Sequence, residues 1–531
     1  MNMQPSHPAP DIRETRTILG HPAGLFLLFM VEMWERFSFY GMRAILGLYL
    51  KCAVDGMSPL PDGKEAGFNP GRGWTKEEAS GLTGWYGGMA YLLPIIGGMI
   101  ADKMIGTHRS MIVGGLLIAL GHIVLAISGM GDMNTSAMGM NVFILGLVMI
   151  IVGTGHFKPS VTVMVSQLYP EGDPRREGAF SIFYMGINVG AFLGTLVCAY
   201  LGEQVGWHYG FGAAAVGMLA GLGMYLMLKP KFLPGIGNPP EGKGRIAPMF
   251  VGSGIIIAFG VAALFAQGVL KRIDGFITNP TVLAALVIAA LVGIGMFVSK
   301  QEREDRGPVL SIFIFMFFNF FFWLAFEQAA TSLNFFTDER TDRMVGSFLV
   351  PSGWFQNVNP AVIVLLSPFF GWMWVKLGKA GKMPSQPIKI GLGLLFLGLG
   401  FLFITFAGMQ AKDGMKSAMW LVVATYILHT VGELFLSPTG LSYVTKAAPK
   451  KFISQLMGIW FVSSFLAYVV GGKIAGMTEK IERGETSLPW SGTFGGQGDF
   501  FFLFVVTSCG AGILIMALTP ALKKLMRNPN D

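Results

Sequence analysis

The sequence predicts an all-α, polytopic membrane protein with fourteen transmembrane helices. Of its 531 residues, 52% are hydrophobic and only 13% are charged, whereas soluble domains average about 25% charged residues. Repeated apolar runs are long enough to cross a bilayer, which takes about 20 residues per helix. Because the number of spans is even, both chain termini lie on the same side of the membrane.

Apolar runs and the breakers between them define the spans. The first six and the last six form two blocks, separated by a linker rich in Pro and Gly and by two spans without Asp, Glu, Lys or Arg, which we expect to be peripheral. The predicted domains are a six-helix bundle over 1–229, the linker with a two-helix hairpin over 230–307, and a second six-helix bundle over 308–531. The predicted spans are 24–50, 79–101, 110–129, 139–168, 178–201, 207–228, 247–269, 281–298, 309–336, 355–375, 388–411, 417–445, 453–476 and 499–520.

The distribution of basic residues predicts the orientation of the chain. Loops on the side of the termini hold 23 Lys and Arg residues, and the opposite loops hold 12. The positive-inside rule therefore places both termini in the cytoplasm. The net charge of +8 is explained by this orientation and by attraction of the basic loops to anionic lipid of the bilayer. We therefore expect no binding of nucleic acid. The polar segment 1–23 lacks an apolar core, and we expect no cleaved signal peptide.

One stripe of the first span carries Glu32, Glu35, Arg36, Tyr40 and Arg43, which share a helix face at 3.6 residues per turn. A charged side chain at the centre of a lipid-facing helix costs about 2.5 to 3.5 kcal/mol on insertion scales. The stripe therefore predicts a cavity that handles protons or substrate. Structural ion pairs that lock helices together are the alternative, and five polar groups on one stripe favour function.

Ionisable residues in other spans extend this pattern. Lys473 lies near the outer end of its span, and we expect it to reach the membrane interface. The others balance four acids against three bases, so they are expected to pair around one central cavity where one carboxylate can bind a proton at little electrostatic cost. A site between two six-helix halves is the architecture of alternating-access transporters. The eight residues are Glu32, Glu35, Arg36, Arg43, Lys158, Glu327, Glu433 and Lys473.

The loop between the second and third spans, GGMIADKMIGTHR at 97–109, resembles the signature of the major facilitator superfamily. This resemblance implies the major facilitator fold of two six-helix bundles. Asp102 can accept hydrogen bonds from helix N-termini and from arginines of neighbouring helices, so we expect it to take part in a cytoplasmic gate.

Four further motifs resemble the proton-dependent oligopeptide transporter (POT) family, and together they cover nearly the whole chain. They are ExxERFxFYG starting at Glu32, GTGHFKP at 153–159, FSIFYMGINVGAF at 180–192, and GELFLSPTGLS at 432–442 followed by QLMGIWF at 455–461. The two additional spans resemble the hairpin insertion of bacterial members. The resemblance implies a monomeric symporter in the bacterial inner membrane, not an enzyme, which imports di- and tripeptides with protons and needs no cofactor or metal.

The resemblance also implies roles for individual residues. Arg43 and Lys158 would bind the peptide carboxylate, Glu433 and Asn359 the amino terminus, and Asn188 and Tyr40 the peptide backbone. Glu327 could form a salt bridge with Arg43 that contributes to gating. The proton-coupling residues would be Glu32, Glu35, Arg36, Lys158 and Glu327, and the side-chain pockets would be lined by Tyr91, Trp323, Trp460 and Ser464.

The sequence departs from the family pattern at two positions. Phe39 stands where the family usually has tyrosine, which removes one hydroxyl contact to the substrate, and Ser160 stands where asparagine is frequent. The chemistry of a zwitterionic peptide supports the assignment independently, because desolvating either charged end without a partner costs several kcal/mol. The first half of the chain supplies cations and the second half supplies carboxylates, so each end has a partner.

Two other functions are weighed against peptide transport. A major-facilitator carrier of drugs or organic anions would also fit the charged stripe. A membrane enzyme could use His429 and Glu433, four residues apart, as metal ligands. No His-Glu-x-x-His motif or third ligand at helical spacing accompanies that pair, so we expect no metal site. His122 and His156 are interpreted as packing residues, although His156 could tune Lys158.

Overall fold

The computed structural model describes residues 16–56, 69–239 and 246–527. The helices in these ranges are α1 (Ala23–Lys51), α2 (Lys76–Ile100), α3 (Thr107–Ile127), α4 (Ala137–Gln167), α5 (Arg176–Tyr200), α6 (Trp207–Phe232), α7 (Ala247–Ala266), α8 (Val269–Ile277), α9 (Pro280–Ser299), α10 (Arg303–Phe326), α11 (Ser332–Arg340), α12 (Val358–Lys379), α13 (Gln386–Gln410), α14 (Met419–Ala447), α15 (Ile453–Gly476), α16 (Thr478–Glu482), α17 (Gln497–Ala517) and α18 (Thr519–Leu525).

The strands in the described part of the chain are short and lie before α1 or in the connections between helices. Each has two residues, and they form three pairs: β1 (Thr17–Ile18) with β2 (His21–Pro22), β3 (Thr341–Asp342) with β6 (Ser417–Ala418), and β4 (Met344–Val345) with β5 (Phe348–Leu349). The pair of β3 and β6 is parallel, and the other two are antiparallel.

Thirteen helical segments of the described chain are long and apolar enough to cross a membrane, and they correspond to the second to fourteenth predicted spans. Helix α1 has 29 residues and coincides with the first predicted span, but it carries the charged stripe and is not among the thirteen. The predicted all-α membrane class is confirmed, and the number fourteen stays a prediction. One predicted span, 309–336, is interrupted by a 3-10 turn at Glu327–Ala330 between α10 and α11.

By its internal contacts the chain divides into two compact units, and unit 1 consists of Met1–Arg72 and Met89–Ala263. Within unit 1, α1 packs closely on α5 because α5 presents glycines at four-residue spacing. A Cβ on Gly190 would lie 2.2 Å from the Met33 carbonyl oxygen, and one on Gly194 would lie 2.1 Å from that of Phe37. Small residues allow the backbones of membrane helices to approach in this way. The charged turn of α1 is thereby held against α5.

Helix α4 is fixed by the same kind of packing. A Cβ on Gly97 of α2 would lie 2.0 Å from the Gly155 carbonyl oxygen, and one on Gly114 of α3 would lie 2.6 Å from that of Gly153. These contacts hold the part of α4 that precedes Lys158 against α2 and α3.

Unit 2 consists of Gly73–Gly88 and Leu264–Asp531. Its core includes Phe315, Phe322 and Phe401, which are all at most 1% exposed. This core is formed mainly by α10, α13, α14, α15 and α17. The first half of α2 packs on α15, where a Cβ on Gly84 would lie 2.6 Å from the Tyr468 carbonyl oxygen.

The hairpin helices contribute little to either core. None of the α9 residues is buried, and α7 buries only small residues. The connecting helix α8 is attached within unit 2 through Asp274, which accepts a hydrogen bond from Trp85 Nε1 at 3.0 Å and forms an ion pair with Lys473. Lys473, which was expected to reach the interface, thus has a defined partner. The three-part domain division stays a prediction.

Candidate functional site

The charged turn of α1 forms a compact ionic cluster. Glu32, Glu35 and Arg36 are 3%, 1% and 4% exposed. Arg36 Nε lies 3.0 Å from Glu32 Oε1 and 2.5 Å from Glu35 Oε2. One guanidinium is therefore shared by two carboxylates, which leaves one negative charge in excess. A buried charge without a partner is costly, so this cluster needs a proton or a second cation.

The cluster retains unused hydrogen-bonding capacity. Glu32 Oε2, Glu35 Oε1 and Arg36 Nη2 are buried and form no hydrogen bond with any residue that the structure describes. The contacts of Arg36 Nε are ion pairs by distance rather than aligned hydrogen bonds. A carboxyl oxygen in this position can accept a proton without first losing a hydrogen bond.

Lys158 of α4 provides a second cation in unit 1. Its Nζ lies 4.0 Å from the centroid of the Tyr91 ring of α2, which is a cation–π contact. The ammonium group is also within electrostatic range of Glu32 and Glu35. The structure therefore brings together four of the five predicted proton-coupling residues in one unit.

The turn of α1 that follows is aromatic and basic. The Arg36 guanidinium lies 5.3 Å from the centroid of the Phe39 ring, and the Phe39 and Tyr40 rings meet edge to face at 5.2 Å. Phe39 and Arg43 are buried, and Tyr40 is half-buried. At the position where the family has a tyrosine hydroxyl, this chain has an apolar ring in contact with the guanidinium.

Asn188, Ser160 and His156 of unit 1 form hydrogen bonds within or between helices. Asn188 Nδ2 donates to the Tyr184 carbonyl oxygen at 3.0 Å, which leaves its other amide hydrogen and its Oδ1 for further contacts. Ser160 is fully buried, and its hydroxyl donates to the His156 carbonyl oxygen at 2.7 Å. His156 Nδ1 lies 3.1 Å from Ser110 Oγ. Ser160 and His156 therefore have structural partners.

Asp102 lies on the turn between α2 and α3. It is exposed in a π-helical turn, Ala101–Ile105, that continues α2. Gly106 ends the turn with φ 77°, and a Cβ there would lie 2.5 Å from Pro239 N. The turn is thus held against the segment that follows α6, and the gating role of Asp102 stays a prediction.

In unit 2, Glu433 of α14 is paired with Asn359 in the first turn of α12. Asn359 Nδ2 donates to Glu433 Oε2 at 2.8 Å and to Thr430 Oγ1 at 3.1 Å. Both predicted ligands of the peptide amino terminus are therefore in contact. Thr430 was not predicted, although its place three residues before Glu433 puts it on the same face of α14.

Glu327 and Trp323 lie at the end of α10. Glu327 is buried and starts the 3-10 turn Glu327–Ala330. Trp323 Nε1 donates to Asn319 Oδ1 at 3.1 Å, so Asn319 orients the indole, a contact that the sequence did not reveal.

The other residues of unit 2 that are predicted to line side-chain pockets lie on α15. Trp460 packs over Gly440 of α14, where a Cβ would lie 2.5 Å from Cζ2 of the indole. Ser464, one turn later, is also buried.

On α14, the centroid of the His429 ring lies 4.5 Å from that of the Phe401 ring. Among residues 16–56, 69–239 and 246–527, no group of three or more His, Cys, Asp or Glu side chains could hold a metal ion.

Comparison with known proteins identifies the family. A model of the POT family matches residues 108–490. The chain is 38% identical to the peptide transporter YePEPT of Yersinia enterocolitica, over 87% of this chain and 89% of that protein. It is 35% identical to a di-/tripeptide transporter of Lactococcus lactis, over 86% and 90% of the two chains. A crystal structure of a peptide transporter POT in complex with sulfate is 34% identical, covers 97% of this chain and 98% of its own, and has a TM-score of 0.77.

These similarities confirm the predicted major facilitator type of fold and exclude an enzyme family. They extend over nearly the full length of the chain and over both units. The individual roles of the site residues stay predictions. The chain belongs to the POT family of transporters.

Proposed function

We propose that this protein is a proton-coupled symporter that imports di- and tripeptides by alternating access. It acts as a monomer in the lipid bilayer of a bacterial inner membrane, with both termini in the cytoplasm. The observation that carries the proposal is the cluster of Glu32, Glu35 and Arg36, in which two buried carboxylates share one guanidinium. The peptide-transport names of its relatives support the choice of substrate.

The ionic cluster supplies the proton site. Either Glu32 or Glu35 takes up a proton, which cancels the excess negative charge that Arg36 alone leaves uncompensated. When the proton leaves, Lys158 compensates the same charge, since it lies within electrostatic range of both carboxylates. The position of Lys158 is in this way coupled to the protonation state of α1.

The two ends of a peptide have complementary partners. Arg43 and Lys158 receive the carboxylate, and Glu433 with Asn359 receives the ammonium group through acceptor oxygens. Tyr40 and Asn188 contact the peptide backbone. Glu327 is available for a salt bridge with Arg43 that contributes to gating. The side-chain pockets are lined by Tyr91, Trp323, Trp460, Ser464 and Phe39.

The proton gradient supplies enough free energy for concentrative uptake. One proton that moves down a potential of about 100 mV releases roughly 2.3 kcal/mol. At 1.4 kcal/mol per factor of ten, this corresponds to about 40-fold accumulation of peptide. One titrating carboxylate is sufficient for the coupling.

Transport in liposomes tests the proposal. The purified protein is reconstituted, and uptake of labelled dialanine is measured with and without an inwardly directed proton gradient. We expect accumulation that depends on the gradient, is abolished by a protonophore, and is competed by other dipeptides. Gradient-independent uptake, or competition by drugs and organic anions but not by dipeptides, would contradict it.

A further inference from the structure

The amide group of Asn359 is held by two side chains of α14. Its Nδ2 donates to Thr430 Oγ1 at 3.1 Å and to Glu433 Oε2 at 2.8 Å. A primary amide nitrogen has two hydrogens, so both are used. Thr430 is fully buried and Glu433 is 9% exposed, so water competes little for these bonds.

The hydroxyl of Thr430 accepts a hydrogen bond from Asn359. Its own hydrogen is donated to the Tyr426 carbonyl oxygen, one turn earlier on α14, at 2.7 Å. A serine or threonine hydroxyl has one hydrogen to donate and two lone pairs. While it keeps the bond to Tyr426, Thr430 Oγ1 presents a lone pair to Asn359.

This inventory fixes the orientation of the amide. If the group were reversed, Asn359 Oδ1 would face two acceptors, Thr430 Oγ1 and the ionised oxygen of Glu433, at hydrogen-bond distance. Amide orientation is decided by such networks, and the reversed form would gain a donor from Thr430 only if that hydroxyl gave up its bond to the Tyr426 carbonyl oxygen. Glu433 alone does not fix it, because a protonated Glu433 could donate to Oδ1 and favour the reversed form. Thr430 opposes reversal whether Glu433 is ionised or protonated.

We propose that Thr430 is a positioning residue, which holds Asn359 with Oδ1 directed away from Thr430 and Glu433 Oε2 so that this oxygen accepts a hydrogen from the α-ammonium group of the peptide. The inference rests on the proposed function. A ligand without an amino group gains nothing from an acceptor oxygen at this position. Thr430 thereby contributes to the preference for peptides with a free amino terminus.

The experiment compares Thr430→Val, which keeps the shape of the side chain and removes the hydroxyl, with Thr430→Ser, which keeps the hydroxyl. The matched control is Thr425→Val. Thr425 is also fully buried on α14, and its hydroxyl donates to the Leu421 carbonyl oxygen at 2.9 Å. Each variant is reconstituted and assayed for uptake of labelled dialanine and for inhibition by propionyl-alanine, a dialanine analogue that lacks the α-amino group.

Thr430→Val is expected to raise the KM for dialanine about threefold to tenfold, the effect of weakening one hydrogen bond. Its maximal rate and its inhibition by propionyl-alanine should stay within about twofold of wild type, because a single hydrogen-bond change at the amino end leaves other contacts intact. Thr430→Ser and Thr425→Val should retain the wild-type KM.

Three outcomes would overturn the role of Thr430. They are an unchanged KM in Thr430→Val, an equal loss for dialanine and propionyl-alanine, or the same defect in Thr425→Val. Absence of dialanine uptake by the wild type is a different result, because it contradicts the proposed function itself. Thermal melting of each purified variant separates a folding defect from a binding defect, and a Thr430→Val protein that melts far below the Thr425→Val protein also counts against a positioning role.

Discussion

Replacing Glu35 with glutamine removes one proton-binding carboxylate and leaves the volume of the side chain nearly unchanged. In the structure this carboxylate is 1% exposed, and its Oε2 lies 2.5 Å from Arg36 Nε. Arg36 keeps Glu32 as a partner at 3.0 Å, so the substitution leaves one carboxylate with two cations, Arg36 and Lys158, in electrostatic range. This carboxylate is fully compensated and has no need for a proton.

The size of the effect follows from the coupling and from the local contacts. Wild-type protein at about 100 mV should accumulate dialanine about 40-fold, whereas Glu35→Gln should not exceed the external concentration. The glutamine places its oxygen towards Arg36 and its NH2 group where Glu35 Oε1 forms no hydrogen bond with a described residue. A buried donor without a partner costs about 1 to 3 kcal/mol, so the variant should also melt at a lower temperature.

The assay measures gradient-driven accumulation and counterflow of dialanine in the same liposomes. Counterflow exchanges internal for external peptide and needs no net proton movement, so Glu35→Gln should retain it. Glu171→Gln is the control, since Glu171 is exposed on the connection between α4 and α5. This variant should accumulate peptide like the wild type. Full accumulation by Glu35→Gln would refute the coupling role, and loss of counterflow together with accumulation would indicate damage to the site rather than uncoupling.

Three other substitutions test separate parts of the site. Lys158→Ala should remove gradient-driven uptake, because the carboxylates then have Arg36 as their remaining cation, and a wild-type pH dependence of uptake in that variant would contradict this. Phe39→Tyr should change the ranking of competing dipeptides more than the maximal rate, and an unchanged ranking would leave the departure without functional meaning. Gly194→Leu should lower the free energy of unfolding by about 3 kcal/mol, because its Cβ would lie 2.1 Å from a backbone oxygen of α1. Thermal melting against Gly223→Leu, where no atom lies within 4 Å of the new Cβ, checks it, and equal melting temperatures would argue against close packing of α1 on α5.

Much of the architecture could be predicted because it depends on local free energies. The transfer of apolar side chains into lipid is additive along the chain, so hydropathy located α1 and α9 within one or two residues. Helical periodicity placed Glu32, Glu35 and Arg36 on one face, and the structure brings these side chains together. Periodicity did not reveal that both carboxylates share one guanidinium nitrogen, because that contact depends on side-chain rotamers.

Contacts across helices could not be predicted in the same way. Asn359 and Thr430 are separated by 71 residues, and their hydrogen bond depends on how α12 approaches α14. The ion pair of Lys473 with Asp274 likewise depends on where α8 is attached. Ser160, a departure from the family pattern, forms its hydrogen bond within α4 rather than across helices.

The sequence by itself determined the membrane class, the positions of the helices and the identity of the ionisable residues within them. These depend on the cost of moving each side chain from water into lipid, which is a property of the residue and its immediate neighbours. The tertiary structure decided which buried charges share a partner and which amide atoms remain available to a ligand. These depend on distances of a few ångströms between helices, which are set by packing of small residues such as Gly190 and Gly194 against α1.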